Sequence, residues 1–165
     1  MRERHDVVVR APVERVYGAV RALDISDARV TRLLFRLRGL PSQPRFTLDD
    51  FLKMRFILLG ERSDEELLLG LVGKFWTPAG ELRRIERAEF KDLNERGYAK
   101  AAWSFHLTQA THDEVSLETE TRVYCTDGLS RMKFRLYWTV VGVFSGIVRR
   151  EMLQIIKRNA ESGER

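Results

Sequence analysis

The C-terminal third of the chain constrains the fold most strongly, because two alternating runs of apolar and polar residues lead directly into one long helical pattern. Alternation of this kind is typical of half-buried strands, and it predicts strands over residues 97–108 and 114–125. The side chains expected to face inward are Ala99, Ala101, Trp103, Phe105 and Leu107 in the first strand and Leu117, Thr119, Thr121, Val123 and Cys125 in the second. The turn over residues 110–113 predicts that the two strands form an antiparallel hairpin.

The helical pattern that follows covers residues 127–160 and carries an apolar stripe rich in aromatic side chains. Its members are Met132, Phe134, Tyr137, Trp138, Val141, Phe144, Val148, Met152, Ile155 and Ile156. When the last strand of a meander leads into such a helix, the sheet can curl round the helix and enclose a pocket. Gly142 and Gly146 interrupt the helix, and each costs up to about 1 kcal/mol relative to alanine, so we expect a packing or bending reason for both.

The N-terminal half predicts shorter elements. A β-branched strand at residues 5–10 is followed by Pro12, which suits the first turn of a helix ending near Asp24. A second helix is predicted over residues 27–38, and Thr47 is placed to cap one short helical turn. Residues 54–60 and 66–72 are predicted to form a hairpin; the leucines at 67–69 and 71 would also suit a helix, but Gly70 and Gly73 favour strands. A short helix is predicted within residues 82–93, which is either a connector with Phe90 in the core or a lid over a cavity mouth.

Length and composition predict one domain over residues 1–165 that folds alone, since 44% of the residues are apolar and 32% are charged. Cys125 is the single cysteine, which excludes an intramolecular disulfide and a cysteine-based zinc cluster. The N-terminal residues lack the apolar core of a secretory signal. A cytoplasmic location is therefore expected.

The net charge of +5 raises the question of nucleic-acid binding. Arginines are scattered among acids along the chain, and only Arg29, Arg32 and Arg36 form a helical stripe, so no specific nucleic-acid partner is expected. That stripe is interpreted as a solvated helix face, with an acidic protein, RNA or a membrane surface as the alternative. The longest uncharged stretch, residues 136–148, is shorter than the roughly 20 residues of a transmembrane helix, so no transmembrane segment is predicted.

No residue set indicates a particular reaction. His106 and His112 lack partners at metal-ligand spacing, so no metal is expected, and neither a nucleophile elbow nor a glycine-rich phosphate loop predicts a catalytic residue or a cofactor. Glu118, Glu120 and Arg122 share one strand face. They are interpreted as an exposed charge network; if that face lined a cavity instead, an acid could act in acid–base chemistry and Arg122 could anchor a carboxylate.

Three segments carry a resemblance to a known family. The run VVVRAPVERVY at residues 7–17 is similar to the opening strand and helix of the START-like or SRPBCC superfamily, and GYAKAAWSF at 97–105 and LETETRV at 117–123 resemble the long C-terminal strands of an uncharacterised bacterial branch. The resemblance covers nearly the whole chain, although residues 74–96 depart from the plain meander. It implies an α+β helix-grip fold: a curved antiparallel sheet of six or seven strands wrapped round a long C-terminal helix, with two short helices after the first strand.

The superfamily includes polyketide cyclases, lipid-transfer domains and birch-pollen-allergen relatives, so the resemblance implies a single domain that binds a small hydrophobic molecule such as a lipid, a polyketide or an aromatic compound. The residues expected to line its cavity are Trp103, Phe105, Thr119, Thr121, Tyr137, Trp138 and Phe144. The alternatives are a metal-free cyclase or dehydratase, and an interaction module that uses the arginine stripe. Binding without turnover is favoured, and a homodimer is compatible with the sequence.

Overall fold

Five antiparallel strands form one open sheet in the computed structural model, which describes residues 1–25, 28, 47–78 and 80–162. The strands are β1 (Arg2–Val9), β2 (Ile57–Arg62), β3 (Glu66–Gly73), β4 (Ala99–Thr111) and β5 (Glu114–Cys125). Their order across the sheet is β1-β5-β4-β3-β2. The two predicted hairpins are therefore confirmed, and β1 closes the sheet against β5.

The prediction of six or seven strands is wrong for the described residues, which form five. The difference lies in residues 74–96, where a turn that contains Pro78 and Gly80 follows β3 and only one isolated bridge joins Val72 to Arg83. A short helix then begins after Glu86, whose side chain and that of Glu89 cap it reciprocally. Residues that could have added a strand thus form a turn and a helix.

Four helices are described: α1 (Val13–Arg21), α2 (Leu48–Lys53), α3 (Arg87–Asp92) and α4 (Gly128–Glu161). Pro12 precedes α1, and a capping box of Thr47 and Asp50 starts α2, so both predicted N-termini are confirmed. The predicted helix over residues 27–38 lies outside the described residues.

The register between β4 and β5 decides which side chains meet. Trp103 lies opposite Thr121, and Phe105 lies opposite Thr119. The predicted inward side chains are buried except that of Ala101, which is half-buried, and Phe105 is 1% exposed. Because side chains alternate between the faces of a sheet, the charged residues of β5 lie on the outer face.

Asp127 caps the N-terminus of helix α4. Its carboxylate accepts hydrogen bonds from Ser130 N (2.9 Å), Ser130 Oγ (2.6 Å) and Gly97 N (2.6 Å). These bonds, led by that of the Ser130 hydroxyl, hold the pKa of Asp127 well below its usual range. They also attach the start of the helix to the loop before β4. The direction of α4 across the sheet is thereby fixed at its first turn.

Helix α4 packs against β1, β5 and α1, and buries Phe134 near its start and Met152, Ile155 and Ile156 near its end. Its middle carries exposed apolar side chains on the opposite side, among them Leu136, which is 73% exposed. None of the described helices combines the length and apolar character needed to span a bilayer. A homodimer stays a prediction.

The buried apolar residues form two separate clusters rather than one. The larger joins the sheet, α1 and the end of α4, and includes Val16, Phe105 and Ile156. The smaller lies near the start of α4 and contains Ala99, Val123, Cys125 and Phe134. The space between the two clusters is where a cavity opens.

Candidate functional site

A cavity lies between the inner face of the sheet and α4, as two adjoining chambers of about 240 Å³ and 470 Å³. The walls common to both chambers include Phe51, Phe56, Leu71, Ala101, Thr121 and Arg149. The larger chamber falls in the range of about 300–1,000 Å³ that is usual for small-molecule sites.

The inner face of β4 explains why this space is not filled. Its inward side chains change from small to large along the strand, with Ala99 and Ala101 followed by Trp103 and Phe105. An alanine reaches only a short way toward α4, whereas the two aromatic rings fill the region beyond. The cavity therefore opens over Ala101 and ends at Trp103.

Aromatic rings bound the cavity at both ends. At one end, Phe51 of α2 lies edge-on to Trp103 with ring centroids 5.6 Å apart and to Phe56 at 5.0 Å. At the other end, Phe134 stacks on Trp138 with centroids 5.5 Å apart. Such rings offer large apolar surfaces of low flexibility, which suits the binding of a flat or hydrophobic molecule.

Trp103 is held in one orientation by Thr119 on the neighbouring strand. The indole Nε1 donates a hydrogen bond to Thr119 Oγ1 over 2.8 Å, and that hydroxyl donates to Ser104 O over 3.0 Å. Both polar groups are thus satisfied within the core. The consequence is a fixed indole face at the end of the cavity.

Two other buried polar atoms have no hydrogen-bond partner among the described residues, and they are Thr121 Oγ1 and Arg149 Nε. Both residues line both chambers. The Arg149 guanidinium carbon lies 4.9 Å from the centre of the Trp103 ring. Burial lowers the pKa of Arg149 to about 10, opposed by the charge of Glu3, so the guanidinium is still a cation at neutral pH.

The structure brings four of the seven predicted ligand-binding residues to the cavity wall: Trp103, Thr121, Tyr137 and Trp138. Phe105 and Thr119 lie in the core beside it, at 1% exposure each. Phe144 is 42% exposed on α4. Their role in binding stays a prediction.

Sequence reasoning missed Arg149 and the two phenylalanines Phe51 and Phe56. A signal for Arg149 existed, because it lies four residues after Ser145 and three before Met152 on the inward face of α4. Residues at these spacings share a helix face. A cation within an apolar stripe is uncommon and indicates a site.

The charged residues of β5 form a cross-strand network on the outer face, as the charge-network interpretation expected, although Glu120 is buried within it at 7% exposure. Arg2 pairs with Glu120 at 2.7 Å and Arg4 with Glu118 at 2.6 Å, while Arg122 also pairs with Glu120. Hydrogen bonds from Arg122 and then Arg2 lower the pKa of Glu120 to about 2. The idea that Arg122 anchors a ligand in the cavity is wrong, since its side chain is 67% exposed on the other face of the sheet.

Helix α3 does not cover the cavity. Phe90 lies with Ala102 and Arg122 beside a groove on the outer face, and Lys100 Nζ donates to the Phe90 carbonyl over 3.1 Å. The lid interpretation is therefore wrong, and Phe90 packs on the outer face rather than in the core. The segment between β3 and α3 does line the larger chamber, through Phe75, Pro78, Gly80 and Leu82.

The remaining groups considered from the sequence are the Cys125 thiol, possible metal ligands and the arginine stripe. Burial raises the pKa of the Cys125 thiol, as fits a core residue. Within the described ranges no three His, Cys, Asp or Glu side chains converge as metal ligands do. The stripe of Arg29, Arg32 and Arg36 lies outside the described residues.

No protein-family model and no curated protein matches the chain. Among solved structures, a conserved protein from Geobacillus kaustophilus is similar at 9% identity and a TM-score of 0.45, with 94% of this chain and 95% of that chain covered. A protein from Thermus thermophilus is similar at 9% identity and a TM-score of 0.40 over 100% of both chains. The Zhui aromatase/cyclase from Streptomyces sp. R1128 is similar at 14% identity and a TM-score of 0.35 over 100% of this chain and 99% of that one. These likenesses are too remote to indicate a substrate or an activity for this chain.

Proposed function

We propose that this chain binds a small hydrophobic molecule in the cavity between the sheet and α4. The observation that carries the proposal is an aromatic-walled space of about 470 Å³ that separates two packed clusters of the core. The space is partly open to solvent, so its apolar walls remain in contact with water until an apolar molecule covers them. Occupation by an apolar molecule would release water and stabilise the fold.

The binding mechanism is burial of apolar surface. Each 100 Å² of apolar ligand surface removed from water contributes about 2.5 kcal/mol before the entropy of binding is subtracted. The rigid faces of Trp103 and Trp138, together with Phe51 and Phe134, supply that surface from opposite ends of the cavity. Of the described wall residues none carries a carboxylate, thiol or imidazole, which supports binding over acid–base turnover.

A titration with phenylnaphthylamine, a neutral fluorophore that brightens in apolar surroundings, tests the proposal. Ala101→Phe places a ring in the cavity and is expected to reduce probe affinity by about tenfold or more, since it removes most of the space that the probe needs. Ala102→Phe is the matched control, because it adds the same ring one residue away on the outer face. Affinity should be unchanged in the control.

The reverse pattern would contradict the proposal. Probe binding that is lost in Ala102→Phe and kept in Ala101→Phe would assign the probe to the outer groove. An absence of probe fluorescence with the unmodified protein would count equally against a hydrophobic cavity. Urea unfolding of both variants checks that each is folded.

A cyclase or aromatase of the polyketide kind is the second candidate. The observation in its favour is the pair of polar groups, Thr121 and Arg149, in an otherwise apolar cavity. Hydrogen-bond donors aimed at a developing oxyanion would favour the enolate that ring closure requires. Recovery of a bound poly-ketone unchanged after incubation would speak for binding alone, and recovery of a cyclised product would establish the enzyme.

A further inference from the structure

We propose that the molecule held in the cavity carries one carboxylate on an apolar body, and that Arg149 and Thr121 bind that carboxylate. This assignment rests on the proposed function, because it names the chemical class of the ligand in the same cavity. It adds a polar anchor to a site whose other walls are apolar. The anchor is located where β5 faces the second half of α4.

Two buried polar atoms on the described cavity wall lack hydrogen-bond partners. Buried polar side chains in folded proteins almost always have a partner, because an unpaired one costs about as much as a lost hydrogen bond. Within the described part of the chain the two buried side-chain atoms without one are Thr121 Oγ1 and Arg149 Nε. Both face the same chambers, so a single bound group could satisfy both.

A ring contact orients the guanidinium group of Arg149. Trp103 holds Arg149 against its ring face at 4.9 Å, and the hydrogen bond to Thr119 fixes that ring. A guanidinium that stacks on an aromatic face keeps its N–H groups free at the edge, where they can bind a carboxylate through two parallel bonds. Thr121 lies directly opposite Trp103 across the β4–β5 pair, so its hydroxyl lies on the same wall.

The charges at the cavity wall limit the charge of the ligand. Arg149 is the one charged residue among the described residues of the cavity wall. Glu3 acts on it only through its charge and already accepts hydrogen bonds from Ser145 Oγ (3.1 Å) and a His5 ring nitrogen (3.0 Å). Glu3 already offsets part of the Arg149 charge, so the site favours a ligand with a single negative charge. A carboxylate fits this limit, whereas a doubly charged phosphate would bring more negative charge than Arg149 balances.

The test compares acids with neutral alcohols of the same shape by titration calorimetry at neutral pH. The pairs are naphthoic acid with naphthylmethanol and decanoic acid with decanol, which also distinguish an aromatic from an alkyl body. In the unmodified protein at least one acid is expected to bind about tenfold more tightly than its alcohol, as a charge-assisted hydrogen bond predicts. The preferred pair then identifies the body of the ligand.

Two variants assign that preference to residues. Arg149→Met and Thr121→Val should each reduce acid affinity by about fivefold or more and leave alcohol affinity unchanged, because they remove donors without removing apolar surface. Arg150→Met is the matched control, since Arg150 is exposed on the same turn of α4. The acid preference should be intact in that control, and should Arg149→Met fail to fold, Thr121→Val carries the test.

Each result decides between the two proposals. Equal affinity of acids and alcohols for the unmodified protein, or an acid preference that survives in Arg149→Met and Thr121→Val, would overturn the carboxylate assignment and leave the hydrophobic cavity in place. Failure of all four compounds to bind would overturn the proposed function and the assignment together. An acid preference lost in Arg149→Met or in Thr121→Val, and retained in Arg150→Met, supports both.

Discussion

Thr119 and Thr121 show how two identical residues on one strand face can have opposite effects on stability. Thr119 Oγ1 accepts a hydrogen bond from Trp103 and donates one to Ser104 O, whereas Thr121 Oγ1 is buried without a partner. A satisfied buried hydroxyl stabilises the fold, and an unsatisfied one destabilises it. Thr121 therefore lowers stability in the unliganded protein, which is a common property of binding sites.

Replacement of each threonine by valine measures this difference. Thr121→Val is expected to raise the free energy of unfolding by about 1 kcal/mol, because it removes an unpaired polar group at nearly constant volume. Thr119→Val is expected to lower it by about 1–2 kcal/mol, because Trp103 Nε1 loses its acceptor. Urea unfolding of the three proteins gives the two differences, and a decrease for both would show that Thr121 is satisfied in solution.

The sequence predicted some of the individual residues at the cavity wall but not all of them. Trp103 and Thr121 could be placed on the inner face because side chains alternate strictly along a strand. The position of Arg149 within the apolar stripe of α4 was a signal in the sequence, but the extent to which its side chain turns inward depends on how α4 rotates against the sheet. Phe144 illustrates the same limit, because a small rotation of the helix exposes one edge of its apolar stripe.

Helix α4 carries two glycines in its interior, and Gly142 has a packing role that its sequence neighbours indicate. A Cβ at Gly142 would lie 2.6 Å from Trp138 Nε1, one turn earlier on the same face. The indole ring of Trp138 thus lies over the helix backbone where a side chain would otherwise stand. That position brings the ring to the wall of the larger chamber.

Substitution of Gly142 by alanine tests whether this contact shapes the cavity. Alanine is favoured in a helix by about 1 kcal/mol, but the new methyl group should displace Trp138 and offset most of that gain. Gly18→Ala in α1 is the matched control, because nothing lies within 4 Å of its Cβ position, and it should stabilise by the full amount. Thermal unfolding and phenylnaphthylamine affinity are the measurements; equal stabilisation by both changes with unaltered probe binding would show that Trp138 does not depend on Gly142.

The elements themselves could be predicted where the periodicity was long. The hairpin of β4 and β5, the hairpin of β2 and β3, and α4 all followed from runs of eight or more patterned residues or from clear turn residues. Within residues 74–96 the short helix predicted for residues 82–93 is present as α3. The additional strand that the family resemblance implied is absent from the described residues, because Pro78, Gly80 and the glutamate capping of α3 favour a turn and a helix.

For the whole molecule, the main feature is a core divided into two clusters with an aromatic-walled cavity between them. The α+β architecture of an antiparallel sheet with a long C-terminal helix was predictable from the order of its elements. The size of the cavity between the two clusters could not be predicted, because an apolar inner face suits a filled core and an open cavity equally well. Only the positions of Ala101 and Trp103 relative to α4 decide between them.

Native mass spectrometry tests the central claim most directly, with the protein as purified and after incubation with naphthoic acid or decanoic acid. The cavity predicts one bound small molecule per chain in the unmodified protein and in Ala102→Phe, and little or none in Ala101→Phe. The mass of the bare chain under every condition, or a complex that is undiminished in Ala101→Phe, would contradict a ligand site between the sheet and α4.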